Sequence, residues 1–301
     1  MRVFMSEIKQ GRVKRFMMGQ PLRLFIFEQA AAPVLWNGLY ARRRRHGAPQ
    51  GPRLDLHVDR LRMITTKPRS DNQLLACLPL DVWQRMEPLM KEMALPAGKS
   101  LYESGSHFDH VYFPLSGLVA LHSQVENGDS SVLSLVGREG LIGVSSFMGG
   151  LSTTSNATVF SDGVFLRIRS ADLLQEFEHS MPLLHLLLRY TQALITQMAQ
   201  TSVCNRHHSV EDAFSRFLLL ALDRSTGNEL LLTHERVANL LGVRREGVSE
   251  AAMRLQKQGL IQYSRGRIQV LDREGMQAGT CECYRVIKTE YDRLLPMKWA
   301  V

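Results

Sequence analysis

Thr233-His234-Glu235-Arg236-Val237-Ala238-Asn239-Leu240-Leu241-Gly242-Val243-Arg244-Arg245-Glu246-Gly247-Val248-Ser249 decides how the C-terminal third of this chain folds. The Thr233 hydroxyl can accept from the free amides of a first helical turn. Glu235 then sits near the positive end of the helix dipole. Val237, Leu240 and Leu241 share one face. Gly242 permits the left-handed backbone of a sharp turn. A second helix follows, from about Arg244 to Gln258, and Gly259 ends it. Helix, short glycine turn and helix make a helix-turn-helix.

The second helix sorts by face. Val248, Ala251, Ala252 and Leu255 fall on one side and can pack on the first helix. Arg245, Glu246, Ser249, Glu250 and Met253 fall on the other, near the N-terminal end. That end of a recognition helix meets base edges in a major groove. Arginine can bond guanine through two acceptors, and glutamate can accept from cytosine. Downstream, Leu260–Tyr263 and Ile268–Val270 read as two short strands joined by Arg265-Gly266-Arg267. This is a hairpin with a basic rim, and its arginines suit phosphate. Thr233 and Arg244 complete the set expected along the backbone. Base-reading positions are Arg245, Glu246, Ser249 and Glu250; wing positions are Arg265 and Arg267.

Net charge does not carry this argument. The chain has 301 residues and a formal charge of +8, but residues 1–69 hold fifteen Lys/Arg against four Asp/Glu, a balance of +11. The remainder balances at −3. Residues 1–69 include the run Arg42–Arg45 and show no lasting helical or strand period. They read as an unfolded basic extension. It either adds nonspecific affinity for DNA or precedes a chain that starts at Met63.

Upstream of the helix-turn-helix the texture changes twice. Asp71 to Met93 reads as helical, with Leu74, Leu75, Leu78, Val82, Met86 and Leu89 in step. From Leu95 to about Ile168, β-rich runs alternate with glycine turns: 111–113, 118–121, 131–136, 157–160 and 164–168. Such close spacing predicts an antiparallel β-roll or jelly roll. Met181 to Ser202 reads as one long helix. Its seam of Leu184, Leu187, Thr191, Leu194, Met198 and Thr201 steps by three and four. Leu183, Leu186, Tyr190 and Ile195 widen the apolar surface, so this helix needs cover on two sides. A β-roll can supply one side and a second copy of the chain the other. Burial within one chain is the competing reading.

The fold class expected is α+β: a β-roll over residues 70–180, a dimerisation helix over 181–205 and a winged helix-turn-helix over 206–301. In this order and in the 233–249 segment, the sequence resembles the Crp–Fnr family of bacterial regulators, over about residues 71–295. The resemblance implies a homodimer on double-stranded DNA with an inverted-repeat operator, and base reading by Arg245, Glu246 and Ser249. The family often has arginine where Glu250 stands and a capping serine or threonine where Arg244 stands. If the protein activates transcription, RNA polymerase is a further partner. The alternative reading is a small-molecule sensor whose C-terminal domain contacts another protein.

The resemblance also places a ligand pocket at Glu139, Gly140, Leu141, Ile142, Gly143, Ser155 and Asn156. Cyclic-nucleotide binders of this superfamily use a glycine and glutamate followed by an arginine-serine pair. A cyclic phosphate carries one negative charge and wants a guanidinium with backbone amides. No arginine falls between Arg138 and Arg167 here, which disfavours a cyclic nucleotide. The family's iron–sulfur branch needs an N-terminal cysteine cluster, and Cys77 stands alone in that region, so no such cluster is expected.

Four cysteines form no disulfide framework. Cys281 and Cys283 are close, but Cys204 is far off in sequence, and no metal site is expected. His107, His110, His207 and His208 read as surface residues. No nucleophile elbow, phosphate loop or paired ligand motif marks an enzyme, so no catalytic residue is assigned. No run reaches the ~18 apolar residues of a membrane span, and no signal peptide or membrane partner is expected. A cytoplasmic protein fits this reading.

Overall fold

A computed structural model describes residues 70–295, apart from 108, 127–129, 151 and 226. The basic segment 1–69, with the expectations attached to it, lies outside the described residues.

Two short helices come first, α1 (Gln73–Ala76) and α2 (Leu80–Met86), followed by a 3-10 turn at Glu87–Leu89. Helical spacing overran at this point. Lys91–Leu95 is strand β1, pairing antiparallel with β7 (Gly163–Arg169) so that Met93 faces Phe165. Cross-strand pairing with a distant segment overrides a local period that is only moderate.

The β-roll comprises β1, β2 (Ser100–Tyr102), β3 (His110–Pro114), β4 (Leu118–Gln124), β5 (Ser130–Val136), β6 (Asn156–Ser161) and β7. They form two antiparallel sheets, ordered β1-β7-β3 and β2-β6-β4-β5. Val111, Phe113, Val119, Leu135, Val136, Val159, Phe165 and Ile168 fill the space between them. Alternation along β3 puts Val111 and Phe113 on one face.

Helix α3 (Ser170–His179) leads to the long α4 (Met181–His207). Ser180 caps α4, its hydroxyl accepting from the Leu183 amide. Two-sided cover is found, but its source is within the chain. The β-roll lies against one flank of α4, and the C-terminal helix α9 (Glu282–Leu294) lies along the other. Of the expected seam, Leu187, Thr191, Leu194 and Thr201 are buried by the chain itself. The apolar residues left exposed are Met181, Leu188 and Ile195, spaced by seven, with Val203 near the end. The reason is α9: Cys283, Tyr284, Ile287 and Tyr291 recur at helical spacing and bury against α4.

Helix α5 (Val210–Arg224) opens on a capping box formed by Ser209 and Asp212. Then come β8 (Glu229–Leu231), α6 (His234–Leu241), α7 (Arg245–Lys257), β9 (Ile261–Ser264), β10 (Arg267–Val270) and α8 (Arg273–Gly279). The sheet order here is β8-β10-β9.

A buried polar cluster joins these parts. Arg224, 1% exposed, donates from Nε to Glu139 Oε1 at 2.7 Å, from Nη2 to Gln197 Oε1 at 2.8 Å and from Nη1 to the Leu220 carbonyl at 2.9 Å. Tyr291 Oη also donates to Gln197 Oε1, at 2.9 Å, and its ring faces the guanidinium. Burial opposes charge on Arg224, but Glu139, Tyr291 and Asp223 around it together outweigh burial and lift its pKa above the ordinary arginine value. A buried charge survives only when paired and hydrogen-bonded in this way.

Candidate nucleic-acid interface

The helix-turn-helix is built as its residues require. Thr233 is the N-cap of α6, its hydroxyl accepting from the Arg236 amide at 3.3 Å. Gly242 closes α6 with φ 67°, in left-handed backbone. Gly242→Ala is expected to cost about 1 kcal/mol, the left-handed penalty for a side chain. The urea midpoint, at unchanged slope, measures it.

Helix α7 starts at Arg245 and keeps Val248, Ala251, Ala252 and Leu255 buried. Arg245, Glu246 and Glu250 are exposed, as is Met253. Arg244 is the N-cap and offers no side-chain cap to α7. The Gly247 amide donates to the Arg244 carbonyl at 3.1 Å, which leaves the amides of Arg245 and Glu246 as donors for an incoming anion. Glu250 stands 3.8 Å from Arg254, whereas no ion pair engages Arg245 among the described residues.

Ser249 is half-buried and already bonded. Its hydroxyl donates to the Arg245 carbonyl at 3.0 Å and lies 3.0 Å from His234 Nδ1. His234 stacks on Tyr263 of β9, ring centroids 3.9 Å apart, so a single histidine joins α6, α7 and the hairpin. Burial, and then the charge of Arg245, lowers the His234 pKa from 6.5. A lowered histidine pKa means that the unfolded chain takes up its proton first as pH falls. Stability from this site is therefore present above 6.5 and is lost as pH drops through the lower folded value. His234→Asn is expected to flatten that part of the stability curve relative to wild type, as read by thermal melts between neutral pH and the acid limb.

At the hairpin tip, Ser264 pairs with Arg267 across a two-residue turn. Arg265 has φ 48° and Gly266 φ 78°, the two positive values of a type I′ turn. Among the described residues Arg265 alone, other than glycines, has positive φ. It is exposed at the apex. Arg267 is also exposed but bonds Glu229 Oε1 at 3.2 Å.

None of the cavities described among these residues is lined by all seven positions of the expected ligand pocket. Glu139 is fully buried on Arg224. Gly140 lies against Tyr190: a Cβ there would stand 2.4 Å from its hydroxyl. Leu141 and Ile142 are wholly buried, and Gly143 turns the chain at φ 107°. Ser155 and Asn156 stand at the start of β6, where Asn156 Oδ1 accepts from the Ser104 amide at 2.9 Å. A cavity of about 320 Å³ opens elsewhere, between the β2-β6-β4-β5 sheet and α6, beside His122, Thr158, Phe160 and Arg236. Arg236 of α6 donates to the Phe160 carbonyl and covers the Phe160 ring at 5.0 Å. The helix-turn-helix is thus clasped to the β-roll.

Sequence reasoning missed two groupings. One is the Glu139–Arg224–Gln197–Tyr291 cluster, whose members are scattered along the chain. The other brings Cys204, His208, Cys281 and Cys283 together at the end of α4 and the start of α9. Their separation in sequence was the ground for expecting no metal there. A signal did exist: Cys204 and His208 lie four apart, hence on one helical face.

Residues 92–180 match the cyclic nucleotide-binding domain family, and residues 214–278 match the Crp-like helix-turn-helix domain family. Among solved structures, a Crp/Fnr-family putative transcriptional regulator of Eubacterium rectale is similar at 18% identity and TM-score 0.53. That match covers 69% of this chain and 95% of that one. FixK2 of Bradyrhizobium japonicum is similar at 16% identity and TM-score 0.55, covering 64% and 98%. CLP, the c-di-GMP responsive global regulator of Xanthomonas campestris, is similar at 16% identity and TM-score 0.52, covering 64% and 100%. No curated protein sequence matches the chain.

Proposed function

Because the chain belongs to the Crp–Fnr family of transcriptional regulators, we propose that it binds an inverted-repeat operator as a homodimer, with activity set by a signal at the β-roll. The observation that carries this is α7: its apolar face is buried, while Arg245, Glu246 and Glu250 project from its first two turns. An arginine-tipped hairpin supports it from the adjoining sheet. In this reading Arg245, Glu246 and Glu250 meet base edges. Ser249 joins them once His234 gives way. Arg265, Arg267, Thr233 and Arg244 line the phosphates.

Two copies present α7 to half-sites one helical turn apart, ~34 Å. Met181, Leu188 and Ile195 are the apolar positions that α4 has left for a second copy. The signal travels through elements that touch both modules: the Glu139–Arg224 pair and the Arg236 clasp on Phe160. Engagement of Glu139 by Arg224 supports an effector other than a cyclic nucleotide. Regulators of this family are not enzymes, and no described helix is long and apolar enough to cross a membrane. We place the protein in the cytoplasm.

The test is recovery of genomic fragments by the full chain, followed by a salt titration on the best fragment and on random duplex. Specific binding should fall steeply with salt and exceed random duplex by ~10³-fold or more. Equal affinity for every fragment would overturn the reading. Retention of a protein partner with no duplex affinity would favour a sensor that contacts protein.

A further inference from the structure

Cys204 and His208 stand on the last turn of α4 and at its C-cap. Cys281 is the N-cap of α9, and Cys283 lies on its first turn. One donor atom from each residue lies within 4.8 Å of every other. Cys204 Sγ and Cys281 Sγ are 3.7 Å apart, and Cys283 Sγ is 3.3 Å from His208 Nδ1. Around a single tetrahedral ion with bonds of ~2.3 Å to sulfur and ~2.0 Å to nitrogen, neighbouring donors stand ~3.4–3.8 Å apart. These two pairs are already near that spacing, and the remaining ones lie within 4.8 Å. An iron–sulfur core would hold its thiolates farther apart, because inorganic sulfide stands between them.

The surroundings have the same character. His208 presents its other nitrogen, Nε2, to Glu282 Oε1 at 3.6 Å. A carboxylate behind a histidine fixes ring orientation and strengthens its ligand nitrogen. Gln200 donates from Nε2 to Cys283 Sγ at 3.4 Å, the kind of bond a thiolate accepts. The buried Arg216 guanidinium stands beside Cys204. Three thiolates and one divalent ion leave a single negative charge, which an arginine offsets. Cys204 and Cys283 are fully buried, so the site sits inside the α4–α9 joint.

We propose that Cys204, His208, Cys281 and Cys283 bind one zinc ion in a tetrahedral three-cysteine, one-histidine site. The donor set is that of closed structural zinc sites, which keep no position open for a reactant. Binding joins the end of the long helix to the C-terminal helix, just before Ser209 caps α5. It deprotonates the thiols, with the protons passing to solvent. The ion therefore ties the helix that runs beside the β-roll to the module that carries α7.

The experiment measures metal content of the full chain, expressed with zinc in the medium and purified under reducing conditions. The expected content is about one zinc per chain, set by four ligands around one ion. Cobalt(II) added to the stripped chain should give the intense visible bands of a tetrahedral thiolate site, and zinc should displace them. Replacing Cys281 and Cys283 together with serine should reduce zinc to background, and Cys77→Ser should leave it unchanged. The cobalt spectrum is read on the wild-type chain, so it stands even where a variant fails to fold. Background zinc together with no tetrahedral cobalt spectrum overturns the proposal. So does full zinc in the double variant, or a Cys204–Cys281 disulfide in the reduced preparation.

Discussion

Arg224→Met is expected to lower folding stability by about 3–5 kcal/mol, the cost of leaving one member of a buried ion pair alone. Methionine fills much of the same volume, so the loss reports charge rather than a cavity. Glu139 is wholly buried and would keep backbone amide donors, that of Gly137 at 3.0 Å among them, but no cation in contact. Gln197 Oε1 and the Leu220 carbonyl also lose a donor. Urea unfolding followed by circular dichroism measures the effect. Adding Glu139→Gln to Arg224→Met removes the orphaned charge and should recover more than half of the loss. A loss under about 1 kcal/mol in the single variant would show that water reaches the pair, since that is the range of exposed ion pairs.

Arg245→Ala is the second large effect, and it acts on recognition. The side chain is exposed at the start of α7 with no ion pair among the described residues. A bidentate arginine–guanine contact is worth ~1–3 kcal/mol of base discrimination. The variant should therefore lose about 10- to 100-fold of preference at one base position in each half-site, with its melting temperature unchanged. Competition binding across operator variants measures this. A uniform loss on all sequences, with a shallower salt slope, would make Arg245 a phosphate contact instead.

What the sequence revealed divides by the range of the interactions. The cap at Thr233, the turn at Gly242 and the buried side of α7 depend on neighbours within a few residues, and all three were legible. Strands β3 to β7 were legible because glycine turns bound each run, whereas the three-residue β2 was not named. Strand β1 was not, since its identity depends on β7 about seventy residues later. The seam on α4 was assigned from its own periodicity, but α9 decides which side is covered. Arg224, Glu139, Gln197 and Tyr291 carry no local pattern, because their meaning lies in contacts across four segments. The seven positions of the expected pocket followed the family's arrangement. In this chain Arg224 and Tyr190 occupy the space around Glu139 and Gly140.

Arg265 holds a long cationic side chain where glycine or asparagine would sit with less strain. A library selected only for heat tolerance should drift toward those residues. One selected for retention on duplex should keep arginine. The two populations would diverge at this codon while agreeing at Gly266, where foldability and recognition make the same demand.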